Sequence, residues 1–143
     1  MAAEEITFCE SKSNYIQYQA SKKLKSGYTA IISFDKWGND FGDVWYNVRL
    51  ASARKRKSSE AFILDGGPVR ESIVLQKTGD GSIEALLFAK EAIRQFIDRI
   101  EVGHMIYVGA EDSQRFRVYQ RGLRDLGFRK FSNENVLIYR KEN

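Results

Sequence analysis

The sequence predicts a domain of the α/β class in an α+β arrangement, in which a mixed, mostly antiparallel sheet carries two main helices. Three observations support this prediction. Short segments with alternating or β-branched apolar residues fill the first third of the chain, two amphipathic helical patterns lie in its second half, and an apolar strand-like segment separates them. The expected order is therefore several antiparallel strands followed by strand, helix, strand, helix and strand.

The length of 143 residues fits one domain, residues 1–143, with a single hydrophobic core. Hydrophobic residues make up 43% and charged residues 29%, as in ordinary soluble globular proteins. No apolar run in the sequence approaches the roughly 20 residues of a membrane helix. The acidic N-terminus lacks the apolar core of a signal peptide. We therefore expect a cytoplasmic protein without membrane contact.

Cysteine and histidine each occur once, as Cys9 and His104. A single cysteine cannot close an internal disulfide, and the pair cannot build a zinc site without carboxylates, so no metal is expected. Cys9 is predicted to be a buried strand residue and His104 a turn residue. The net charge of +4 and the pI near 9.2 are compatible with anionic partners.

Four strand-like segments are predicted in the first half of the chain, at residues 5–10, 14–20, 28–34 and 44–51. Residues 36–43 are rich in glycine, asparagine and aspartate, so they form a loop that joins the last two strands into a hairpin. Alternation in the second strand of this hairpin separates its side chains onto two faces, one with Val44, Tyr46, Val48 and Leu50, the other with Trp45, Asn47 and Arg49.

Four consecutive basic residues follow the hairpin: Arg54, Lys55, Arg56 and Lys57. Such a run is typical of a solvated loop, and it also fits a nucleic-acid patch or a contact with an acidic protein. Aromatic residues do not interleave with these charges, so the run itself offers no platform on which bases could stack.

An apolar strand pattern at residues 69–75 leads through a glycine-containing turn into a long amphipathic helix at residues 82–100. The turn consists of Gln76, Lys77, Thr78, Gly79, Asp80 and Gly81, and Ser82 can cap the helix. Free backbone N–H groups at such a helix start favour an anion. A right-handed crossover is expected to carry strand 69–75 to a parallel neighbour at residues 105–108.

Both predicted helices show apolar residues at helical spacing. The first is expected to bury Ile83, Leu86, Leu87, Ile93, Phe96, Ile97 and Ile100, with Ala85, Ala89 and Ala92 allowing close approach to a sheet. The second runs from residue 112 or 113 to 126, with Gly127 as its stop. Its apolar positions are Phe116, Tyr119, Leu123 and Leu126, and a basic ridge contains Arg117, Arg121 and Arg124. Gly122 inside this helix is a candidate for close packing. Residues 135–140 form the last predicted strand.

This order of elements, together with two motifs, resembles the GNAT superfamily of N-acetyltransferases. Residues 76–81 match that family's coenzyme A signature, Gln/Arg-x-x-Gly-x-Gly/Ala. Tyr119, followed by Gly127 and Phe128, is similar to the family's helix with a tyrosine ahead of a Gly-Phe pair. The resemblance covers residues 60–140, and the short basic chain also resembles small acetyltransferase-like proteins of bacterial viruses.

The resemblance implies an acetyl-CoA dependent N-acetyltransferase with a GNAT-like fold, whose acceptor is an amine, for example on a protein. It implies that residues 76–82 bind the pyrophosphate of the cofactor and that Tyr119 is the general acid for the departing thiolate. An amine must lose a proton before it attacks, and Glu71 is the candidate base. Taken alone, Tyr119 also fits a core aromatic residue and Glu71 a surface carboxylate.

Two other functions fit the same sequence. Asp80 lies between the loop glycines, where a carboxylate would repel a diphosphate, and residues 11–27 are too short for the helices that the family usually has there. Both features favour a catalytically inactive, protein-binding module, for example a viral protein that acts on a host protein. A nucleic-acid-binding domain would use residues 54–57 and the basic ridge, although the sequence contains no recognised nucleic-acid motif.

Overall fold

The computed structural model describes residues 4–12, 14–53, 82–110, 113–131 and 134–143. These residues form seven strands and two α-helices, so the predicted α+β class with a mixed sheet is confirmed. The strands are β1 (Cys9–Lys12), β2 (Ile16–Lys23), β3 (Thr29–Gly38), β4 (Val44–Ala53), β5 (Met105–Gly109), β6 (Arg129–Lys130) and β7 (Val136–Arg140). The helices are α1 (Ser82–Ile97) and α2 (Ser113–Leu123), and a short 3-10 helix, Arg124–Leu126, follows α2.

All seven strands lie in one sheet, in the order β1-β2-β3-β4-β5-β7-β6. β4 and β5 pair in parallel, and all other neighbouring strands pair antiparallel. The chain therefore crosses over from β4 to β5, with α1 in that connection, and from β5 to β6, with α2 in that connection. The single parallel contact divides the sheet into an antiparallel β1–β4 part and a smaller β5-β7-β6 part.

The parallel partner of β5 differs from the predicted one. β4 pairs with one edge of β5 and β7 with the other, along nearly the whole strand. Both edges of β5 are therefore occupied by described strands, and the predicted parallel partner of β5 is wrong. The crossover rule predicts that a parallel pair exists but does not say which earlier strand supplies it. Residues 69–75 themselves lie outside the described residues.

β1 forms one edge of the sheet and pairs with β2. Its side chains are all exposed, including that of Cys9, so the prediction of a buried cysteine is wrong. The cause is the position of the strand: an edge strand has one hydrogen-bonded neighbour, and alternation in the sequence does not distinguish it from an inner strand.

The predicted hairpin at residues 28–51 is confirmed, and its strands are longer than expected, so that only residues 39–43 remain in the turn. The side chain of Asn39 closes this turn. Its Oδ1 accepts hydrogen bonds from the backbone N–H groups of Phe41 and Asp43, both at 3.0 Å.

α1 packs on the sheet through its small and aromatic residues. Ala85, Ala92 and Phe96 are buried, whereas Ile83 and Leu87 are 72% and 63% exposed, contrary to the prediction. At 100° per residue, each of these two lies about 200° from Ala85 and therefore points away from the sheet. Their i, i+4 spacing shows that they share a face but not that this face is the buried one.

α2 and its 3-10 extension end at Gly127, as predicted. Gly127 has a φ of 98°, a left-handed conformation that glycine adopts without strain, and its N–H donates to the carbonyl of Arg124 at 3.0 Å. Phe116 and Leu123 are buried, in agreement with the apolar spacing. The strand β6 was not predicted, because two residues are too few to show a pattern.

The hydrophobic core lies between one face of the sheet and both helices. Phe96 of α1 is at its centre: its ring stacks on Phe34 with centroids 4.0 Å apart and meets Tyr46 edge-on at 5.1 Å. Phe116 and Leu123 of α2 belong to the same buried cluster, so the two helices cover the same face. Strand alternation assigns a second set of side chains to the opposite face, called the open face below: Gln17, Asp35, Trp37, Trp45, Asn47, Arg49, Tyr107, Ile138 and Arg140.

Candidate functional site

The parallel pairing of β4 and β5 ends where β5 ends, at Gly109, while β4 runs on. Their register runs from Trp45 opposite Met105 to Val48 opposite Val108, whereas β4 continues to Ala53. In the described part of the chain, no strand pairs with the last residues of β4 on the β5 side. The last residues of β4 therefore extend past β5 and, among the described strands, leave an opening on that side, at the carboxyl ends of the strands, where open α/β sheets commonly bind ligands.

The first turn of α1 lies at the same end of the sheet, where β4 finishes. The carboxylate of Glu84 in this turn accepts a hydrogen bond from the backbone N–H of Lys25 at 2.9 Å. Lys25 belongs to the turn that leads into β3, and Thr29 at the start of β3 pairs with Ala53 at the end of β4. The positive end of the α1 dipole and the opening between β4 and β5 therefore lie at the same end of the sheet, where β4 and β5 finish and where an anion is favoured.

A cleft of about 480 Å³ lies on the open face beside this opening. It is lined by Tyr15, Asp35, Trp37, Asn47, Val48, Arg49, Tyr107, Gly109 and Val136. The volume falls within the roughly 300–1,000 Å³ of small-ligand sites, and the lining combines aromatic rings with a few polar groups, as such sites do. The cleft is therefore a candidate site for a small molecule or for one side chain of a larger partner.

Asp35 and Arg49 form an ion pair in the cleft. Oδ2 of Asp35 lies 2.8 Å from Nε of Arg49, and Oδ1 accepts a hydrogen bond from Nε2 of Gln17 at 2.9 Å. Nη2 of Arg49 donates to the hydroxyl of Tyr15 at 3.0 Å. The two charged side chains are only 7% and 26% exposed, so each needs the other as a counter-charge. Both carboxylate oxygens are engaged, and the network holds Tyr15 in place against the sheet.

Five aromatic side chains cross the open face and form what we call the aromatic row: Tyr15, Trp37, Trp45, Tyr107 and Phe131. Tyr15 stacks on Trp37 with ring centroids 5.2 Å apart, and Trp37 is directly opposite Trp45 in the β3·β4 ladder. Tyr107 lies 6.3 Å from Trp45 and 6.3 Å from Phe131, between centroids. Trp37 and Phe131 are 43% and 44% exposed. The row is a surface on which flat molecules can stack.

Most of the site residues predicted from the sequence lie outside the described residues. These are Glu71, Gln76, Lys77, Thr78, Gly79, Asp80 and Gly81, together with the basic run at residues 54–57. Ser82 is the first residue of α1, as predicted. Tyr119 is a partly buried residue of α2 that packs against the core on the helix-covered face. It is not among the residues that line the cleft on the open face.

The cleft and the aromatic row contain residues that sequence reasoning did not select. Asp35, Trp37 and Tyr15 fall in or beside segments that were interpreted only as strands or loops. The available signal was the pair Trp37 and Trp45, which flank a short polar turn and must face each other across a hairpin. Tyr107 and Phe131 could not be added to this pair without knowing the order of the strands.

A second polar cluster surrounds His104, which lies in a turn, as predicted, directly before β5. Its backbone N–H donates to the carbonyl of Glu101 at 3.0 Å, and its Nδ1 lies 3.2 Å from the hydroxyl of Tyr46. Burial lowers the pKa of His104, partly offset by the carboxylate of Glu101, whereas burial raises the pKa of Tyr46 to about 12. Tyr46 is buried in the core, so this cluster supports the fold rather than a reaction with an external molecule.

A second cavity, of about 640 Å³, lies between the N-terminal segment, β2 and α1. Gln95 of α1 fastens this segment, because its Oε1 accepts from the N–H of Ile6 at 2.8 Å and its Nε2 donates to the carbonyl of Glu4 at 2.9 Å. Four glutamates line the cavity, Glu4, Glu5, Glu84 and Glu91. The carboxylates of Glu84 and Glu91 already accept hydrogen bonds from the backbone N–H of Lys25 and from Arg94.

Comparison with protein-family models, with curated proteins and with solved structures gave no match to this chain. Neither α1 nor α2 combines the length and the apolar composition that a membrane-spanning helix requires. Within the described residues, no group of three or more histidine, cysteine, aspartate or glutamate side chains is placed to hold a metal ion.

Proposed function

We propose that this chain is an acetyl-CoA dependent N-acetyltransferase with a GNAT-like fold, which acetylates an amine that enters through the cleft on the open face. One observation carries the proposal: β4 extends past β5 at the same end of the sheet as the start of α1. The N-terminus of α1, which follows the motif at residues 76–81 in the sequence, contacts the β2–β3 turn at this end of the sheet. The alternation of helix and strand from α1 to β7 supports the proposal, whereas the parallel pairing of β5 with β4 departs from the expected order.

The residues of the motif suit a diphosphate on chemical grounds. Gly79 and Gly81 lack a Cβ, so the backbone can approach phosphate oxygens closely. The helix dipole favours an anion at this position by about 0.3–1 kcal/mol, and Lys77 can add a charge-assisted hydrogen bond. Asp80 opposes these effects unless its carboxylate points away from the phosphates.

The bound cofactor would supply an acetyl group already activated as a thioester. The residues of the chain then have three tasks: to orient the acceptor amine, to take its proton and to protonate the leaving sulfur. In this proposal the cleft orients the amine, Glu71 takes the proton and the hydroxyl of Tyr119 protonates the sulfur. Asp35 also places a carboxylate in the cleft. Its ion pair with Arg49 and its hydrogen bond from Gln17 assign it a structural role in the cleft rather than the role of the base.

Isothermal titration calorimetry with acetyl-CoA tests this proposal. We expect saturable binding, which Gly81→Val abolishes because its side chain fills the approach to the backbone. Asp80→Ala is the matched control in the same loop and should leave the affinity unchanged or raise it. Absence of binding heat and of thermal stabilisation at millimolar acetyl-CoA would remove the cofactor and with it the proposed function.

A second candidate function is that of a binding module without catalysis. The position of Tyr119 favours it, because this residue packs against the core on the helix-covered face, whereas the cleft lies on the open face. Tyr119→Phe separates the two functions if acetyl-CoA binds. An enzyme should lose turnover and keep its affinity for the cofactor, whereas a binding module has no turnover to lose.

A further inference from the structure

The aromatic row extends beyond the cleft and beyond what the fold requires. Trp45 and Phe131 belong to the row but do not line the cleft. Phe131 and Trp37 keep more than two fifths of their surface exposed, so these rings recover only part of the stabilisation that burial would give. Partly exposed aromatic rings that lie on one face of a sheet can mark a surface that contacts a partner.

The charge beside the row identifies the kind of partner. Arg129 is opposite Ile138 and Arg140 is opposite Met105, so both arginines lie on the open face, and both are exposed. Among the described strands, the carboxylate on this face is Asp35, which is buried and paired with Arg49. The face therefore presents positive charge next to stacking surfaces, and this combination is complementary to an anion with flat rings.

We infer that the open face binds single-stranded nucleic acid, with bases stacked on the aromatic row and phosphates bound by Arg129 and Arg140. In a duplex the faces of the bases are covered by their neighbours, so an aromatic platform selects unpaired bases. The row crosses about five strand spacings of ~4.8 Å, or roughly 24 Å. This length suits the sites of about 4–16 nucleotides that sheet-based single-strand binders use.

The acidic turn between β3 and β4 limits where the bound strand can lie. Asp40 and Asp43 belong to this turn, which adjoins both Trp37 and Trp45, and would repel phosphates there. Arg129 and Arg140 lie in the β7-β6 half of the sheet, together with Phe131. Binding is therefore centred on Tyr107 and Phe131 and extends toward Trp45. The inference does not depend on acetyl-CoA, because none of these residues belongs to the proposed cofactor loop.

Fluorescence anisotropy tests the stacking surface. The probes are fluorescein-labelled single-stranded RNA and DNA of mixed sequence and about 12 nucleotides, measured at low salt and without acetyl-CoA. Phe131→Ala should weaken binding about 5- to 150-fold, the range that corresponds to the roughly 1–3 kcal/mol of one base–aromatic stack. Phe41→Ala is the matched control, because Phe41 is 91% exposed in the β3–β4 turn and outside the row. It should leave the affinity unchanged.

A second pair of variants tests the role of the two arginines. Replacing Arg129 and Arg140 by Gln should lower the affinity and reduce the slope of log K against log salt by about 0.7 for each phosphate that is no longer neutralised. Replacing Arg117 and Arg121 by Gln removes the same charge from the exposed surface of α2 and serves as the control. Thermal melting of every variant shows that the fold is kept.

Three outcomes would overturn the inference. The first is that neither oligonucleotide binds saturably at low salt, even at a protein concentration of about 100 µM, the weak limit of non-specific binding. The second is that binding depends on Arg117 and Arg121 but not on Phe131, which would assign it to α2. The third is that the chain binds no oligonucleotide but forms a concentration-dependent dimer, which Phe131→Ala converts to monomers. The open face would then be a contact between two copies of the chain. The cofactor-loop variant Gly81→Val should bind the oligonucleotides normally, so the two proposals fail independently.

Discussion

The two faces of the sheet use aromatic residues in opposite ways. On the helix-covered face, Phe34, Tyr46 and Phe96 pack together, with the rings of Phe34 and Phe96 stacked at 4.0 Å. On the open face, the aromatic row lies beside an ion pair and keeps part of its surface in water. Residues of the same chemical class thus stabilise the fold on one face and form a contact surface on the other.

The difference follows from what covers each face. α1 and α2 bring apolar side chains and remove water from the first face, so that the interactions there add to the free energy of unfolding. The described helices do not cover the aromatic row on the second face, which has polar side chains at alternate positions of the same strands, whereas Ile31 and Ala51 near the other end of this face are buried. If this division holds, substitutions on the first face should change stability, and substitutions on the second should mainly change binding.

The largest expected effect is the removal of the central ring of the core. Phe96→Ala should lower the free energy of unfolding by about 3–5 kcal/mol, because the helix and sheet cannot close around the cavity. Trp37→Ala on the open face removes a larger ring that is 43% exposed, so its partial burial and its contact with Tyr15 should account for a smaller loss, about 2 kcal/mol. Urea denaturation of both variants measures the difference, and equal losses would refute the division between the faces.

The ion pair is the part of the open face that should affect stability. Asp35→Ala leaves the guanidinium of Arg49 without its counter-charge and should lower the free energy of unfolding by about 2–3 kcal/mol. Breaking a fully buried pair costs about 3–5 kcal/mol, and the cost is smaller here because Arg49 is partly exposed. Asp125→Ala removes the partner of Lys90 at an exposed site and should produce no measurable change. Recovery of stability in Asp35→Leu combined with Arg49→Met would confirm that the uncompensated charge is the cause.

The core tyrosine should make stability depend on alkaline pH. Burial raises the pKa of Tyr46 to about 12, whereas an unfolded tyrosine ionises near pH 10. The folded state keeps the proton longer, so this contribution is complete below about pH 10 and is lost as the pH rises from about 10 to about 12. Tyr46→Phe should reduce the fall in unfolding free energy across this range. A fall as steep as that of the unmodified chain would show that other groups cause it.

The smallest effect is expected at Gly122 in α2. Close packing is not the reason for this glycine, because a Cβ added there would meet nothing within 4 Å. Gly122→Ala should therefore stabilise the protein by about 0.5–1 kcal/mol through helix propensity and a more restricted unfolded chain. Gly127→Ala is the opposing control, since its φ of 98° and the nearby ring of Tyr139 make a Cβ unfavourable there. A loss of stability at position 122 would contradict this account of α2.

Local patterns in the sequence were sufficient for the elements but not for their arrangement. The hairpin of β3 and β4, the start of α1 and the end of α2 at Gly127 follow from alternation, helical spacing and glycine, whereas α1 ends at Ile97 and not at residue 100 as predicted. The parallel partner of β5 could not be predicted, because several earlier strands satisfy the same crossover rule. The exposure of Ile83 and Leu87 was missed for a similar reason: the spacing of apolar residues does not fix how a helix is rotated on a sheet.

The open face could not be recognised from the sequence because its residues are far apart in the chain. Tyr15 and Phe131 belong to one row only because the strands between them place both on one surface. The basic run at residues 54–57, by contrast, is conspicuous in the sequence and has no aromatic residues beside it. The order of the strands in the sheet brings the rings of the aromatic row together, so no single segment of the sequence shows this surface.

Both tryptophans of the chain, Trp37 and Trp45, belong to the aromatic row, and this makes the binding role of the open face directly measurable. In a ¹H–¹⁵N NMR titration with a single-stranded RNA of about 12 nucleotides, their indole N–H signals report on the open face alone. We predict that the indole signal of Trp45 shifts with saturation, together with the backbone signals of Tyr107 and Phe131, while the signal of Phe96 stays in place. Indole signals that remain unchanged at saturating RNA would contradict the assignment of binding to the open face.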